Sequence, residues 1–213
     1  MSTRIVLTRH GESEWHADNR YAGRSDIELT ERGRSQAKAL GEWAGDADLA
    51  AIYASPQRRA HESALPAAER AGLEIGVDDR LRELDFGVAE GRTRAEMDRD
   101  LPDDLAAFRH DPVTHHFRDG EKPDVAADRC LAALTEIATA HDGGRVLVVA
   151  HSTTFRLTLC RLLGLPLASY RGIFPHLDNC ALNEIALDGD RVSLLSLNVP
   201  VTTHDRSTSG GTT

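Results

Sequence analysis

Between Arg145 and His151 the chain reads Val-Leu-Val-Val-Ala without a polar break. A strand with one wet face alternates apolar and polar residues, so an unbroken, mostly β-branched run requires cover on both faces. It predicts an inner strand of a mostly parallel sheet. Ile5-Val6-Leu7 is a shorter run of the same kind, and Leu49 to Ala54 and Leu73 to Val77 supply two more strands. Helical patterns lie between them. Thr30 caps one that reaches about Trp43, with Ala37, Leu40 and Trp43 on one face. Ser55-Pro56, a hydroxyl at the N-cap and a proline at N1, opens one that runs to Arg70 and stops at Gly72. Asp124 opens the longest, with Cys130, Leu131, Leu134 and Ile137 facing inward, ended by Gly143-Gly144. Ser152 caps another, whose stripe is Phe155, Leu159, Leu162 and Leu163. Alternating strands and helices predict an α/β fold, a three-layer sandwich with a mostly parallel central sheet and helices on both faces. Cys180 to Leu187 and Arg191 to Leu197, joined through Asp188-Gly189, predict a C-terminal antiparallel hairpin.

A chain of 213 residues can bury one sizeable core. Residues 1–201 are expected to form a single domain. Within it, residues 92–123 follow a capping box at Thr93 and Glu96, are broken by Pro102 and Pro112, and read as a lid-like excursion rather than core. The Thr-, Ser- and Gly-rich stretch 202–213 is expected to be a disordered tail. A formal net charge of -9 and only 5% aromatic residues argue against nucleic acid and anionic membranes as partners. Any anionic ligand must therefore be small and held by a local cluster of cations. Cys130, Cys160 and Cys180 are odd in number and form no Cys-x-x-Cys pair, so they read as reduced core thiols. With no signal-like or membrane-length apolar segment, a cytoplasmic location is expected. Association into a homodimer is left open.

Two strands end alike, Leu7-Thr8-Arg9-His10 and Val149-Ala150-His151-Ser152, each delivering a histidine to the C-terminal edge of the sheet. That edge is where open α/β sheets bind ligands. His151 also opens a helix, where free N–H groups and the helix dipole favour an anion. Arg59 falls in the first turn of the helix after a third strand end. Donors from three elements thus converge, and a phosphate is their natural occupant.

Arg9-His10-Gly11-Glu12-Ser13 with Trp15, Asp26 with Leu29-Thr30-Glu31-Arg32-Gly33, and Ser55-Pro56 with Arg59-Ala60 and Ala64 resemble successive motifs of the histidine phosphatase superfamily, which also contains the phosphoglycerate mutases. Leu81, Glu83, Phe86-Gly87 and Glu90-Gly91 resemble the next motif, and Gly120-Glu121 and Val148-Val149-Ala150-His151 complete the series. The resemblance implies a phosphomonoesterase acting on a small phosphorylated metabolite in two steps, through a phosphohistidine and without metal or other cofactor. It makes His10 the nucleophile, Arg9 and Arg59 phosphoryl clamps, His151 a stabiliser of the transferring group, and Glu83 the acid and then the base. Three departures stand out. His16 occupies a position where an asparagine commonly reaches the phosphate, Ser152 stands where glycine usually follows the histidine, and Ala89 replaces a frequent tryptophan. His16 and Ser152 are accordingly candidate substrate contacts, and Glu12 a candidate orienting group.

Two other functions share part of this pattern. A cofactor-dependent phosphoglycerate-type mutase shares the phosphohistidine chemistry, but such mutases follow the glutamate with a His-Tyr-Gly type segment, whereas here Leu84-Asp85-Phe86-Gly87 follows Glu83. A non-catalytic phosphate-binding protein would not need a nucleophile and an acid together. His110, His115 and His116 invite a metal reading, yet no accompanying carboxylate pattern supports one, and a solvated loop is expected. Arg24, Arg92, Arg94 and Arg118, with those histidines, are candidates to face the leaving group.

Overall fold

The computed structural model describes residues 1–189 and 191–201, so the expected tail at 202–213 lies outside the described residues. Six strands, β1 (Thr3–Arg9), β2 (Ala51–Ala54), β3 (Ile75–Val77), β4 (Arg145–Ala150), β5 (Leu182–Asp188) and β6 (Arg191–Val199), form one sheet in the order β3-β2-β4-β1-β5-β6. The first four are mutually parallel. β5 runs antiparallel to β1, and β6 antiparallel to β5. This is the α/β sandwich and C-terminal hairpin that the sequence predicts.

Residues 146–150 of β4 are wholly buried, and alternation explains why none can be polar. Val146, Val148 and Ala150 join Ile5 and Leu7 on one face, beneath Cys130, Leu134 and Ile137 of α5 (Pro123–Ala140) and Phe155 and Leu159 of α6 (Ser152–Leu162). On the other face, Leu147 and Val149 join Val6, Ile52 and Ala54 beneath Leu40 and Ala44 of one helix and Ala60, Ala64 and Ala67 of another. Those two helices are α1 (Glu31–Gly45) and α2 (Arg58–Ala71) in chain order, with α3 (Arg94–Asp100) and α4 (Pro102–His110) between them and α5, and α7 (Tyr170–Ile173) after α6. Each buried Val or Leu contributes roughly 1.5–3 kcal/mol. The expected core thiols Cys130, Cys160 and Cys180 are buried and free.

Local signals held at several ends. The Thr30 hydroxyl accepts from the Gly33 N–H, Thr93 and Glu96 form the capping box of α3, and Gly72 closes α2 in a left-handed conformation at φ 67°. Two caps are corrected. α2 begins at Arg58 with Gln57 as N-cap, and α6 has His151 as N-cap with Ser152 as its first residue. In both places the side chains serve the cleft described below. Residues 92–123 also depart from a segment standing off from the core. Met97, Leu105, Phe108 and Phe117 are buried in the α5–α6 side of the core, with the Phe108 and Phe117 rings stacked at 4.2 Å. Four large apolar residues, widely spaced among charges, outweigh the polar composition of that stretch. No helix among the described residues is long and apolar enough to cross a membrane.

Candidate active site

Parallel register brings the two strand ends together. Arg9 is paired with Ala150, and the His10 N–H donates to the Ala150 carbonyl at 3.0 Å. The next residues along, His10 and His151, have ring centroids 5.2 Å apart. β2 lies on the other side of β4, with Ala54 opposite Val149, so Ser55 emerges beside His151. Their contact, Nε2 to Oγ at 2.8 Å, is what the Ser55 hydroxyl does in place of capping α2. The Gln57 N–H donates to the same Oγ at 3.3 Å, so the hydroxyl proton is left for the imidazole.

His10 is buried, with Nδ1 2.7 Å from the Gly11 carbonyl. Only a protonated Nδ1 can make that bond, which leaves the Nε2 lone pair free. Arg59 Nε donates toward this Nε2 at 3.3 Å. Burial, then the Arg59 and Arg9 guanidiniums, hold the His10 pKa well below the usual histidine value, and burial followed by Arg59 does the same for His151. Both rings are neutral near pH 7.

Arg59 is completely buried and, among the described residues, has no carboxylate partner. Its Nη1 donates to the Ser25 carbonyl at 2.7 Å and its Nη2 to Gly23 and Ala22 at 2.9 and 3.2 Å. That loop is itself fixed by Glu90, whose carboxylate accepts from the Gly23 and Ser25 N–H groups. Arg9 donates from Nη1 to the Leu177 carbonyl at 3.0 Å and from Nη2 to His16 Nε2 at 2.6 Å. His16 Nδ1 in turn lies 3.0 Å from both the Ser13 N–H and the Ser13 hydroxyl, and 3.2 Å from the Ser13 carbonyl. Burial and the adjacent Arg9 lower its pKa to about 4.

Glu83 does not pair at the surface. Its Oε1 accepts from the Leu84 and Thr154 N–H groups and shares the Thr154 hydroxyl proton with the Arg82 carbonyl, each at 2.9 Å, whereas Oε2 accepts only from the Thr153 N–H at 3.0 Å. A carboxyl from a distant loop thus caps α6, which is why Ser152 has no capping role. Arg129 secures that loop, donating to the carbonyls of Arg80, Arg82 and Glu83 while its fork grips Glu121 at 2.7 Å. Gln57 accepts from the Glu83 N–H at 2.8 Å and donates to the Gly23 carbonyl at 2.6 Å. Neither Thr154, Arg129 nor Gln57 stands out in the sequence, because each matters only through tertiary partners.

Arg9, His10, His16, Glu83 and Ser152 line one cleft of about 480 Å³. Of the residues expected to face a leaving group, only Arg94 lines it. Arg118 pairs with Asp104 and Arg92 with Asp100, while His110 and His115 are exposed elsewhere. Arg20, Arg156, Arg171 and His176 line the cleft instead. Gly11 provides close approach to a neighbouring helix rather than to a ligand, since a Cβ there would lie 2.5 Å from the Gly33 carbonyl oxygen. Glu12 accepts the Thr30 hydroxyl at 2.9 Å, an orienting contact outside the cleft lining. No group of three or more His, Cys, Asp or Glu among the described residues is arranged to hold a metal ion.

Among the described residues, the buried side-chain polar atoms without a hydrogen-bond partner are Thr8 Oγ1, Arg9 Nε, His151 Nδ1 and Arg156 Nε. Arg9 and Arg156 line this cleft, whereas His151 and Arg59 are fully buried outside its lining, the His151 ring 5.2 Å from that of His10. An oxyanion with several lone pairs would satisfy such donors, and a neutral imidazole nitrogen stands beside them.

Residues 5–200 match the histidine phosphatase superfamily, branch 1. The chain is 33% identical to phosphoserine phosphatase 1 of Hydrogenobacter thermophilus over 196 residues, 92% of each chain. It is also 33% identical over 181 residues to a probable phosphoglycerate mutase, GpmB, of Citrobacter koseri, covering 85% of this chain and 83% of the other. The native structure of mycobacterial glucosyl-3-phosphoglycerate phosphatase superposes with a TM-score of 0.84 at 30% identity, covering 93% of this chain and all of that one. The chain belongs to branch 1 of the histidine phosphatase superfamily.

Proposed function

We propose that this phosphomonoesterase transfers the phosphoryl group of a small phosphorylated metabolite to His10 and then to water. The observation that carries the reading is the His10 ring. Nδ1 is tied to the Gly11 carbonyl, so Nε2 faces Arg59 as a neutral nucleophile. In the first step an Nε2–P bond forms as the ester P–O bond breaks, and Glu83 gives the leaving oxygen its proton. Oε2 suits this task because it has a single N–H partner, whereas Oε1 is saturated. In the second step water attacks phosphorus, its proton returns to Glu83, and the N–P bond breaks to release phosphate.

Arg9 and Arg59 bind the phosphoryl oxygens, and their charge is not cancelled by a paired carboxylate. His151 donates from Nδ1 to the same oxygens, its tautomer fixed by the Ser55 hydroxyl on Nε2. His16 supports Arg9 from behind, and Ser152 lines the wall of the phosphoryl pocket. Phosphatase names among the relatives, and the absence of a His-Tyr-Gly type segment after Glu83, favour water over a second substrate as acceptor.

The test is acid-quench labelling with a phosphate-labelled substrate. Wild type is expected to carry label on histidine, and His10→Ala to carry none while retaining its fold by circular dichroism. Activity is expected to be inhibited by vanadate and indifferent to EDTA. Label persisting in the His10 variant would place the nucleophile elsewhere.

A further inference from the structure

Arg9 and His151 carry two of the unpaired nitrogens, and the phosphoryl chemistry uses both. Arg156 is not part of that chemistry. It projects from α6, is only 9% exposed, and leaves Nε buried without a partner. Its guanidinium lies 5.0 Å from the centre of the Tyr170 ring. The Arg171 guanidinium lies 5.9 Å from the same ring and 5.1 Å from that of Phe108. No carboxylate among the described residues forms an ion pair with either arginine.

Scarcity of acid does not explain this, since the chain has 34 Asp and Glu against 25 Lys and Arg. Many arginines elsewhere are matched, as in Arg145 with Glu184, Arg129 with Glu121 and Arg161 with Asp128. Apart from Arg9, which the phosphoryl group engages, the other arginines of the cleft wall are matched, Arg20 with Asp18 and Glu96, and Arg94 with Asp98. Two guanidiniums sharing one aromatic ring repel each other, and the ring's attraction leaves their net charge in place. Both line the cleft that holds His10 and Glu83. An anion between them would remove the repulsion and satisfy the buried Nε–H.

We propose that Arg156 and Arg171 form a subsite for a second anionic group, a carboxylate carried by the alcohol portion of the phosphomonoester. The proposal rests on the reading that the phosphoryl group sits at His10. A planar carboxylate matches the in-plane donor edge that Arg156 presents through Nε, and aromatic rings hold both guanidinium planes in place. The substrate class is thus a phosphorylated acid, whose two charges are read by separate groups of one cleft.

The experiment compares kcat/KM for 3-phosphoglycerate and for glycerol 3-phosphate, which replaces the carboxylate by a hydroxymethyl group. Propane-1,3-diol bisphosphate supplies a second phosphate, and p-nitrophenyl phosphate reports the phosphoryl chemistry alone. Where turnover is slow, the same compounds are compared as competitive inhibitors of p-nitrophenyl phosphate hydrolysis. Wild type should favour the carboxylate by at least about tenfold, the size expected of a charge-assisted hydrogen bond. The preference should collapse to within about threefold in Arg171→Met and in Arg156→Met. Arg171 is exposed, so its variant and the wild-type ratio decide the matter even if the Arg156 variant fails to fold. Hydrolysis of p-nitrophenyl phosphate without a carboxylate preference would overturn the subsite and leave the phosphatase intact. Preference for the bisphosphate would overturn the choice of carboxylate. No phosphate release from any of these compounds would overturn the phosphatase reading, and the subsite with it.

Discussion

Replacing Glu83 by Gln separates the carboxyl group's chemical role from its structural one. Three donors converge on Oε1 from Leu84 and Thr154, and one N–H from Thr153 meets Oε2. A glutamine fits best with its carbonyl oxygen at the three-donor position, which puts its NH2 against the Thr153 N–H. One buried N–H is then unpaired, at a cost of about 1–3 kcal/mol. The reverse orientation would set the NH2 against three donors and is worse. At roughly 2–4 °C per kcal/mol for a chain of this size, the melting temperature should fall by about 2–12 °C. The variant should still fold.

Loss of proton transfer should lower kcat by about 10²–10⁴ for an alkyl phosphate. Against p-nitrophenyl phosphate the two steps should part company. Nitrophenolate leaves without a proton, so phosphoryl transfer to His10 proceeds, whereas hydrolysis of the phosphohistidine still needs a base. Stopped-flow absorbance should show a burst of nitrophenolate equal to the enzyme concentration, followed by slow turnover. A kcat within tenfold of wild type for the alkyl phosphate would refute the assignment of Glu83. An unchanged melting temperature would refute the hydrogen-bond account of why the glutamate sits where it does.

Three other perturbations read different parts of the site. His16 has its folded pKa lowered to about 4, against about 6.5 unfolded. Between those values the unfolded state binds the extra proton, so this group's contribution is present above pH 6.5 and lost as pH falls toward 4. Over that window, urea titrations should show wild type losing stability relative to His16→Asn by up to about 1.4 kcal/mol per pH unit; parallel curves would show that His16 does not titrate there. Ser55→Ala removes the hydroxyl that sets the His151 tautomer, and kcat/KM measured by phosphate release should drop roughly tenfold to hundredfold, short of the ~10²–10³ of losing an oxyanion donor outright. Gly33→Ala would set a Cβ 2.0 Å from the Glu12 carbonyl oxygen, forcing α1 away from the loop that carries His10. Chemical denaturation should register a loss of roughly 2–4 kcal/mol, in the range of core overpacking and local strain.

The sheet and the histidine pair were legible because strand ends can be read from apolar runs alone. Val148-Val149-Ala150 and Val6-Leu7-Thr8 mark two inner strands whose apolar runs stop at His151 and at Arg9-His10, and aligning those ends sets His10 beside His151. The helix starts were less legible, and Ser55 and Ser152 fail for a common reason. A hydroxyl before a helical pattern is a sound local signal, worth about 1 kcal/mol as a cap. At α2 the Ser55 hydroxyl instead meets a buried imidazole nitrogen that has no access to water. At α6 a carboxyl from residue 83 takes the capping N–H groups of Thr153 and Thr154. A sequence window sees neither partner, so it assigns the side chain to the nearest backbone.

Residues 92–123 show the same limit in composition. Charges and histidines dominate the stretch, yet Met97, Leu105, Phe108 and Phe117 decide where it lies. Phe108 then does more than fill the core, because Arg171 rests on its ring at the edge of the cleft. Packing in this stretch and charge in the cleft are therefore one arrangement, with Tyr170 and Phe108 holding guanidiniums that no carboxylate neutralises. An average charge of -9 conceals it entirely. What separates a cation able to bind substrate from one that only solvates the surface is the absence of a paired acid. That property belongs to the folded neighbourhood, and no count of arginines along the chain contains it.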